Sequence, residues 1–431
     1  MLLWLYRALF PVLLLVSSPY YLWRMRRRRG YRENFDHRFG RGSALPAKPP
    51  GCRRVWLQAV SVGEMLAVGP VIDALAGDED VELYLTTTTS TGYRLARERY
   101  GGKVVAVEYF PLDWWFFSRR AWRRIQPDLA ILAEGERWPE HLAQARRAGV
   151  PVVCINARMS DRSYRRMRGI RPLLRPLFAG IDRLLPASSF DADRFLELGF
   201  PPDRLVTTGN IKLDLAIEPM TPDARRALRA ELGLSGDDPV ILGSSTWPGE
   251  EAALLEAWRA LRAEGRACRL LLVPRHAERR GEVETLLREA GVRHHLRSRG
   301  PALEDVDVAV GDTTGELRRL TQVAEVVFIG KSLPPHTEGQ TPVEAAALGK
   351  ALVLGPELSN FRAIAGELLS EGAARRVSTA AELASVFAEL LDAPDLRAAM
   401  GGAAQAWQQR NQGAVARTVA LIRSEIFREA N

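Results

Sequence analysis

The arrangement in this sequence best suited to chemistry is a carboxylate one step past a glycine, directly after an apolar run: Trp56-Leu-Gln-Ala-Val-Ser61-Val-Gly63-Glu64. An amphipathic segment, Met65 to Leu75, follows at once. Glu64 therefore falls near the N-terminus of a helix at the C-terminal edge of a sheet, where open α/β sheets bind ligands. An acid there also complements the helix dipole, a structural role that suffices by itself. A second acidic site, Ala133-Glu134-Gly-Glu136-Arg-Trp138-Pro139, places two carboxylates on either side of a glycine. They repel each other unless a cation, a proton or a polyhydroxylated ligand satisfies them. Pro139 is a natural first residue for the next helix. The run Thr86-Thr-Thr88-Thr-Ser-Thr-Gly92 supplies hydroxyls that cap a helix or hydrogen-bond a sugar.

The second half carries a different chemistry. Gly243-Ser-Ser245-Thr246, Pro274-Arg275-His276, Gly311-Asp-Thr-Thr314-Gly315-Glu316 and Gly330-Lys-Ser332 each close an apolar run. Small and hydroxyl residues before helices expose backbone N–H groups to anions, and Arg275 offers a forked phosphate donor. Thr341-Pro342-Val343-Glu344 opens a helix of small residues, where a glutamate either grips a ribose diol or simply starts a buried helix. The absence of a Walker A lysine motif and of GxGxxG disfavours a P-loop NTPase or an ordinary dinucleotide enzyme. A nucleotide-sugar site in the second half, facing an acceptor site with a base in the first, accounts for these features together. No His/Asp cluster has metal-ligand spacing, and Cys52, Cys154 and Cys268 lie far apart without a CxxC. Reduced thiols, no metal and no cofactor are the expectation.

Positioning these groups requires alternating strands and helices. Val55–Val60, Val81–Thr86, Val104–Val107, Leu129–Ala133, Val152–Ile155 and Arg183–Pro186 read as strands, with amphipathic segments between them. The pattern lapses near Glu218–Pro222 and restarts with Val240–Gly243, Leu270–Val273, Val306–Val310, Val326–Ile329 and Ala351–Leu354. His294-His295 reads as an edge strand or loop. Such alternation predicts an α/β protein of two doubly wound, parallel-sheet domains facing a central cleft, and 431 residues suit two cores. The expected division is an anchor and basic arm over 1–29, an acceptor-binding domain over 30–215, and a nucleotide-sugar-binding domain over 216–431. That last domain includes C-terminal helices whose polar-faced stretch, Leu396 to Phe427, can fold back on the first domain.

The net charge of +8 is concentrated. Arg24, Arg26, Arg27, Arg28, Arg29, Arg32, Arg38 and Arg41 crowd behind the uncharged run Ala8 to Trp23, which contains Pro11 and Pro19. The run falls slightly short of the ~20 residues that span a bilayer, and Met1 to Leu5 extend it if Arg7 snorkels. Arginines after an apolar run are a positive-inside signal, placing the body on the cytoplasmic face, where they also attract anionic lipid. Basic residues beside an apolar N-terminus, not along a folded face, argue against nucleic-acid binding. The aromatic stretch Trp114-Trp-Phe-Phe117 either packs in the core or adds to the membrane surface.

Several motifs, in order and nearly end to end, resemble one family, the 3-deoxy-D-manno-octulosonic acid (Kdo) transferases. They are Ala59–Glu64, Thr86–Gly92, Glu134–Pro139, Asn156–Arg158, Thr208-Gly-Asn-Ile-Lys212-Leu-Asp214, Gly243–Thr246, Pro274–His276, Gly311–Leu317 and Pro342–Glu344. The resemblance implies a GT-B fold, CMP-Kdo as donor, a lipid A precursor as acceptor, no metal, and inversion at the anomeric carbon, on the cytoplasmic face of the inner membrane. It implies Glu64 as general base and Glu136 or Glu134 as a second essential carboxylate. CMP binding falls to Pro274, Arg275, Thr314, Gly315, Glu316 and Thr341 to Glu344, with Ser245 and Thr246 beside them. Ser61, Gly63, Thr88 and Lys212 belong to the acceptor side. The chain departs from the family pattern at Gly135, Glu140, Trp247, Pro248, Gln340 and Thr341, with one extra residue around Pro334 to Thr337. Trp247 and Gln340 stand where the family usually carries histidine, and two alternatives follow from that loss: a GT-B transferase for another nucleotide sugar, or a catalytically silent membrane-bound relative.

Overall fold

A computed structural model describes residues 2–27, 33–135, 137–215 and 217–427. The chain forms two compact units: Met1–Asp214 together with Gln412–Asn431, and Leu215–Asn411.

The first unit is a six-stranded parallel sheet in the order β3-β2-β1-β4-β5-β6. Its strands are β1 (Arg53–Gln58), β2 (Val81–Thr87), β3 (Ala106–Tyr109), β4 (Leu129–Ala133), β5 (Val152–Ala157) and β6 (Arg183–Pro186). Both faces are covered by helices, so the strands are apolar on both sides, as parallel sheets require. Val55, Leu57, Leu83, Leu85 and Ile131 pack one face against Met65, Val68 and Ile72. Trp56, Tyr84, Leu132 and Cys154 pack the other against Trp122, Leu142 and Phe195. Chain order reverses between β1 and β4, which are hydrogen-bonded neighbours, and this switch point opens a crevice at their C-terminal ends.

The second unit repeats the design with seven parallel strands, ordered β13-β12-β11-β7-β8-β10-β9. They are β7 (Val240–Thr246), β8 (Arg269–Pro274), β9 (His294–Leu296), β10 (Val308–Val310), β11 (Val326–Ile329), β12 (Ala351–Leu354) and β13 (Ala374–Arg376). Its switch point lies between β7 and β11. The two edge strands are three residues each. His294 and His295 lie on one of them, and the other, β13, is absent from the sequence reading because its Arg375 and Arg376 break the apolar pattern.

The expected boundary of 216–431 requires correction. Helix Ala414–Ile426 belongs to the first unit. Val419, Ile422 and Ile426 complete the core beneath β1 and β2. Arg423 forks onto Asp78 at 2.8 and 2.6 Å, and Arg183 pairs with Glu425 at 2.8 Å. Asp214 accepts the N–H groups of Ala414 and Val415 at 3.1 and 2.5 Å, satisfying two of the helix's orphan donors.

Candidate active site

Glu64 lies at the C-terminal edge of β1, in the first turn of helix Val62–Ala67. Ser61 caps this helix, and Glu64 reaches back past it to the preceding backbone N–H, a variant of the capping box. The Glu64 N–H donates to Ser61 Oγ at 3.4 Å, and the carboxylate accepts the Val60 N–H at 2.8 Å and the Ser61 hydroxyl at 3.2 Å. The structural role of the acid is thus real, yet it leaves the side chain only half-buried. Gly63 beside it is exposed, and a Cβ there would meet only Ser61 Oγ at 4.0 Å. A glycine that packing does not require, inside a helix where it weakens the fold, leaves the approach to Glu64 open. Gly92 does the opposite: a Cβ there would stand 2.6 Å from Thr87 Oγ1, so its absence lets helix Ser90–Tyr100 start close against the Ser61 turn.

Across the switch point, Glu134 follows β4 with φ 56°, a left-handed conformation costly for a non-glycine residue. Its Oε1 meets Lys212 Nζ at 2.6 Å. Burial pushes the Glu64 carboxyl above its ordinary value of 4.5; Glu134 adds to the rise, while the Val60 N–H, the Ser61 hydroxyl and Lys212 oppose it. Glu64, Glu134 and Lys212 are therefore one electrostatic group drawn from three segments. Thr88 stands beside them, its hydroxyl accepting from Gln58 Nε2 at 3.2 Å and its carbonyl accepting from Arg38 at 2.6 Å. Glu136 lies outside the described residues. Asn156 went unread as a site residue. It is fully buried with φ 50°, and its Oδ1 accepts the Ile211 N–H at 3.1 Å, fixing the turn that delivers Lys212. No local pattern around Asn156 signals that pairing.

In the second unit the C-terminal edges of β7, β8, β10 and β11 bring together every segment expected there. Arg275 follows β8, its backbone N–H held by Thr246 O at 3.0 Å. Its exposed guanidinium makes no hydrogen bond or ion pair among the described residues. Thr314 and Gly315, the latter at φ 89°, form an exposed turn after β10. Thr341 is exposed, Pro342 and Val343 are buried, and Thr341 Oγ1 accepts the Val343 N–H at 3.3 Å. Other expected groups are engaged within the fold. Thr246 donates to Glu251 at 2.7 Å. Glu316 accepts from Thr313 and Arg297, and the Thr313 hydrogen bond chiefly holds its carboxyl below the ordinary value. Glu344 pairs with Arg318 at 2.8 Å. Ser245, at φ 54°, sits where β11 comes so close that a Cβ on Gly330 would stand 2.4 Å from the Ser245 carbonyl oxygen.

These two edges carry the motifs on which the family resemblance rests, and comparison with known proteins agrees with them. Residues 33–215 match the family model for 3-deoxy-D-manno-octulosonic-acid transferase (kdotransferase). Over 425 residues the chain is 35% identical to the 3-deoxy-D-manno-octulosonic acid transferase of Bordetella pertussis, covering 96% of each. This chain belongs to the Kdo transferase family. The Haemophilus influenzae member is 32% identical over 97% of this chain and 95% of its own. Among solved structures, a glycosyltransferase from Rickettsia africae matches 88% of this chain and 100% of its own with TM-score 0.62 at 13% identity, a likeness of fold alone. The fold is GT-B.

The departures of this Kdo transferase from its family pattern now have surroundings. Trp247 packs against His276 and His336, with ring centroids 5.4 and 5.6 Å apart, and Lys331 Nζ lies 4.2 Å from its centroid. Imidazole is thus present beside the β7 turn, supplied by His336 from the segment with the extra residue. Glu140 is fully buried and binds Arg7 of the N-terminal helix.

Proposed function

We propose that this enzyme transfers Kdo from CMP-Kdo to the 6'-hydroxyl of a lipid A precursor, with inversion and without a metal ion. The observation that carries the reading is Glu64: a carboxylate with a raised proton affinity, coupled to Glu134 and Lys212, beside a glycine that leaves it accessible. In the reaction the acceptor oxygen bonds to the anomeric carbon as the bond from that carbon to the phosphate oxygen breaks. The electron pair leaves with CMP, and Glu64 takes the hydroxyl proton. A single displacement inverts the centre. Arg275, uncommitted at its strand end, meets the phosphate as negative charge develops on it, the role a cation fills elsewhere. The Thr314-Gly315 turn and the Thr341–Glu344 segment supply further donor contacts. Trp247, ringed by His276 and His336, supports retention of the family's donor despite the changed motif.

The acceptor side faces a membrane in this reading. The window Leu3–Tyr20 has mean hydropathy 1.3 and none of it is buried. Trp4, Leu9, Val12, Leu13, Leu15, Val16, Tyr20 and Trp23 are all exposed, a surface that water does not favour. It anchors the enzyme at the cytoplasmic face of the inner membrane. The test is a transfer assay in detergent micelles, with CMP-Kdo generated in situ, tetraacylated disaccharide precursor as acceptor, and mass spectrometry as readout. A gain of one or more Kdo masses, undiminished by EDTA, is expected. No gain from folded protein overturns the donor and acceptor assignment.

A further inference from the structure

A line of polar side chains runs through the first sheet, between strands that are otherwise largely apolar, and ends at the Glu64 edge. Side chains alternate along a strand, so Trp56 and Gln58 of β1 share a face, as do Thr86 of β2 and Thr88 just past it. Gln58 stands opposite Thr86 in the register of the two strands. The Trp56 indole Nε1 donates to Thr86 Oγ1 at 2.9 Å, and the Thr86 hydroxyl donates to Gln58 Oε1 at 2.7 Å. Gln58 Nε2 then donates to Thr88 Oγ1 at 3.2 Å. Trp56, Thr86 and Gln58 are buried, and Thr88 alone is partly exposed.

The direction of these hydrogen bonds is forced. An indole N–H only donates, so Thr86 Oγ1 must accept from it. The Thr86 hydroxyl proton then needs an acceptor of its own, because a buried donor is costly to leave unpaired. Gln58 Oε1 is the acceptor it has among the described residues. With its oxygen turned to Thr86, Gln58 can offer Thr88 only its NH2 group. Thr88 Oγ1 accepts, and its own proton points away from the amide. That hydroxyl donates to no group among the described residues. The fold does not require such a chain. Replacing paired buried polar groups with apolar ones of similar shape is close to neutral, and Val55, Leu57, Leu83 and Leu85 are what these strands use where only packing matters.

Thr88 is fixed at its backbone too. Its N–H and that of Thr89 donate to the Val60 carbonyl, both at 3.2 Å, while the Val60 N–H is held by the Glu64 carboxylate at 2.8 Å. Arg38 holds the Thr88 carbonyl at 2.6 Å. Glu64 and Thr88 thus hang from one residue, Val60. We propose that Trp56, Thr86 and Gln58 are positioning residues that lock the Thr88 hydroxyl as a hydrogen-bond donor, toward an oxygen of the acceptor sugar beside the hydroxyl that reacts. This rests on the acceptor reading above and deepens it. A free threonine hydroxyl binds a sugar in either sense, as donor or acceptor. A locked donor binds an oxygen lone pair and leaves the reacting hydroxyl's proton to Glu64. It selects an oxygen at that place over an ammonium group.

The test is the transfer assay above, run over acceptor concentration, with Thr88→Val, Thr88→Ser, Gln58→Met and the double variant Thr88→Val/Gln58→Met. The contact is made in the ground and transition states alike, so Thr88→Val should raise the acceptor KM about tenfold, the loss falling on KM and not on kcat. Thr88→Ser, which keeps the hydroxyl, should recover most of that loss. Gln58→Met should raise the same KM and, because it acts through Thr88, should add nothing in the double variant. An equal further loss in the double variant would mean that the amide acts by structure alone, and overturns the relay. Thr88→Asp still accepts from Gln58 but offers the sugar only lone pairs. An acceptor KM below that of Thr88→Val would reverse the polarity and overturn the relay as well, whatever Gln58→Met does to folding. A parent enzyme that transfers Kdo while Thr88→Val keeps its acceptor KM overturns the relay alone. A parent that transfers nothing overturns the acceptor assignment on which the relay rests.

Discussion

The two sheets are built alike and finish their C-terminal edges in opposite ways. At the first edge Glu64 and Glu134 are half-buried and electrostatically coupled, and Lys212 opposes their charge. At the second, the carboxylates are spent within the fold. Glu250 accepts four backbone N–H groups, from Trp247, Lys331, Ser332 and Leu333, tying the β7 and β11 turns together. Glu251 binds Arg279 and Thr246, Glu316 binds Arg297, and Glu344 binds Arg318. Among the described residues there, the exposed Arg275 guanidinium is held by no hydrogen bond or ion pair. On the proposed reading one edge receives a proton and the other an anion, although both derive from the same strand-turn-helix unit.

Substitutions on the two edges should therefore fail differently. Glu64→Gln keeps an acceptor for the Val60 N–H and should fold normally, while turnover falls by about 10²–10⁴, the usual worth of a general base. CMP affinity, measured by calorimetry, should not change. Turnover near that of the parent enzyme would remove Glu64 from the role of base. Glu250→Ala, in contrast, should damage structure before chemistry, because each orphaned buried N–H costs about 1–3 kcal/mol. A lowered melting temperature together with lost CMP binding is the expected pair. Loss of binding with an unchanged melting temperature would mean that Glu250 meets the ligand directly.

Arg275→Ala is a milder perturbation. Charge-assisted hydrogen bonds are worth about 1.5–3 kcal/mol, so CMP should bind more weakly by one to two orders of magnitude, with no change in melting temperature. An unchanged affinity would sever the guanidinium from the phosphate and shift attention to the Thr314-Gly315 turn.

Much of this contrast could be read from the sequence, and the exceptions share a cause. Apolar runs mark eleven of the thirteen strands among the described residues because parallel strands must be hydrophobic on both faces; β9 and β13 are short edge strands with less to bury. The chemistry at strand ends was legible because it is local, a glycine or hydroxyl beside a charged residue. Partnerships across the chain were not. Thr246 resembles a ligand group until Glu251 is found to hold its hydroxyl, and Glu250 resembles an ordinary helix-start acid until the β11 turn closes on it. The Ala414–Ile426 helix is anchored by Asp214 across a gap of 200 residues, a contact that no periodicity encodes.

The finest test of the first edge uses pH, because its neighbours act on Glu64 with opposite signs. On the proposed reading Glu64 works when deprotonated, so burial, which raises its carboxyl above the ordinary 4.5, should move the acidic limb of the rate profile upward. Glu134→Gln removes a negative neighbour and frees Lys212 to act more strongly, so proton affinity should drop and the limb should move to lower pH. Lys212→Met removes the opposing cation and leaves Glu134 uncompensated, so the limb should move to higher pH. Neither displacement depends on how much absolute rate each variant loses. The stability of the fold carries the same signature reversed. With its affinity raised in the folded state, the Glu64 proton stabilises the enzyme below the unfolded carboxyl's range, and that contribution is lost as pH rises through the folded value. Lys212→Met should widen this loss and Glu134→Gln should narrow it. Limbs that move in the same direction would show that Lys212 and Glu134 act on the rate by some route other than the charge of Glu64.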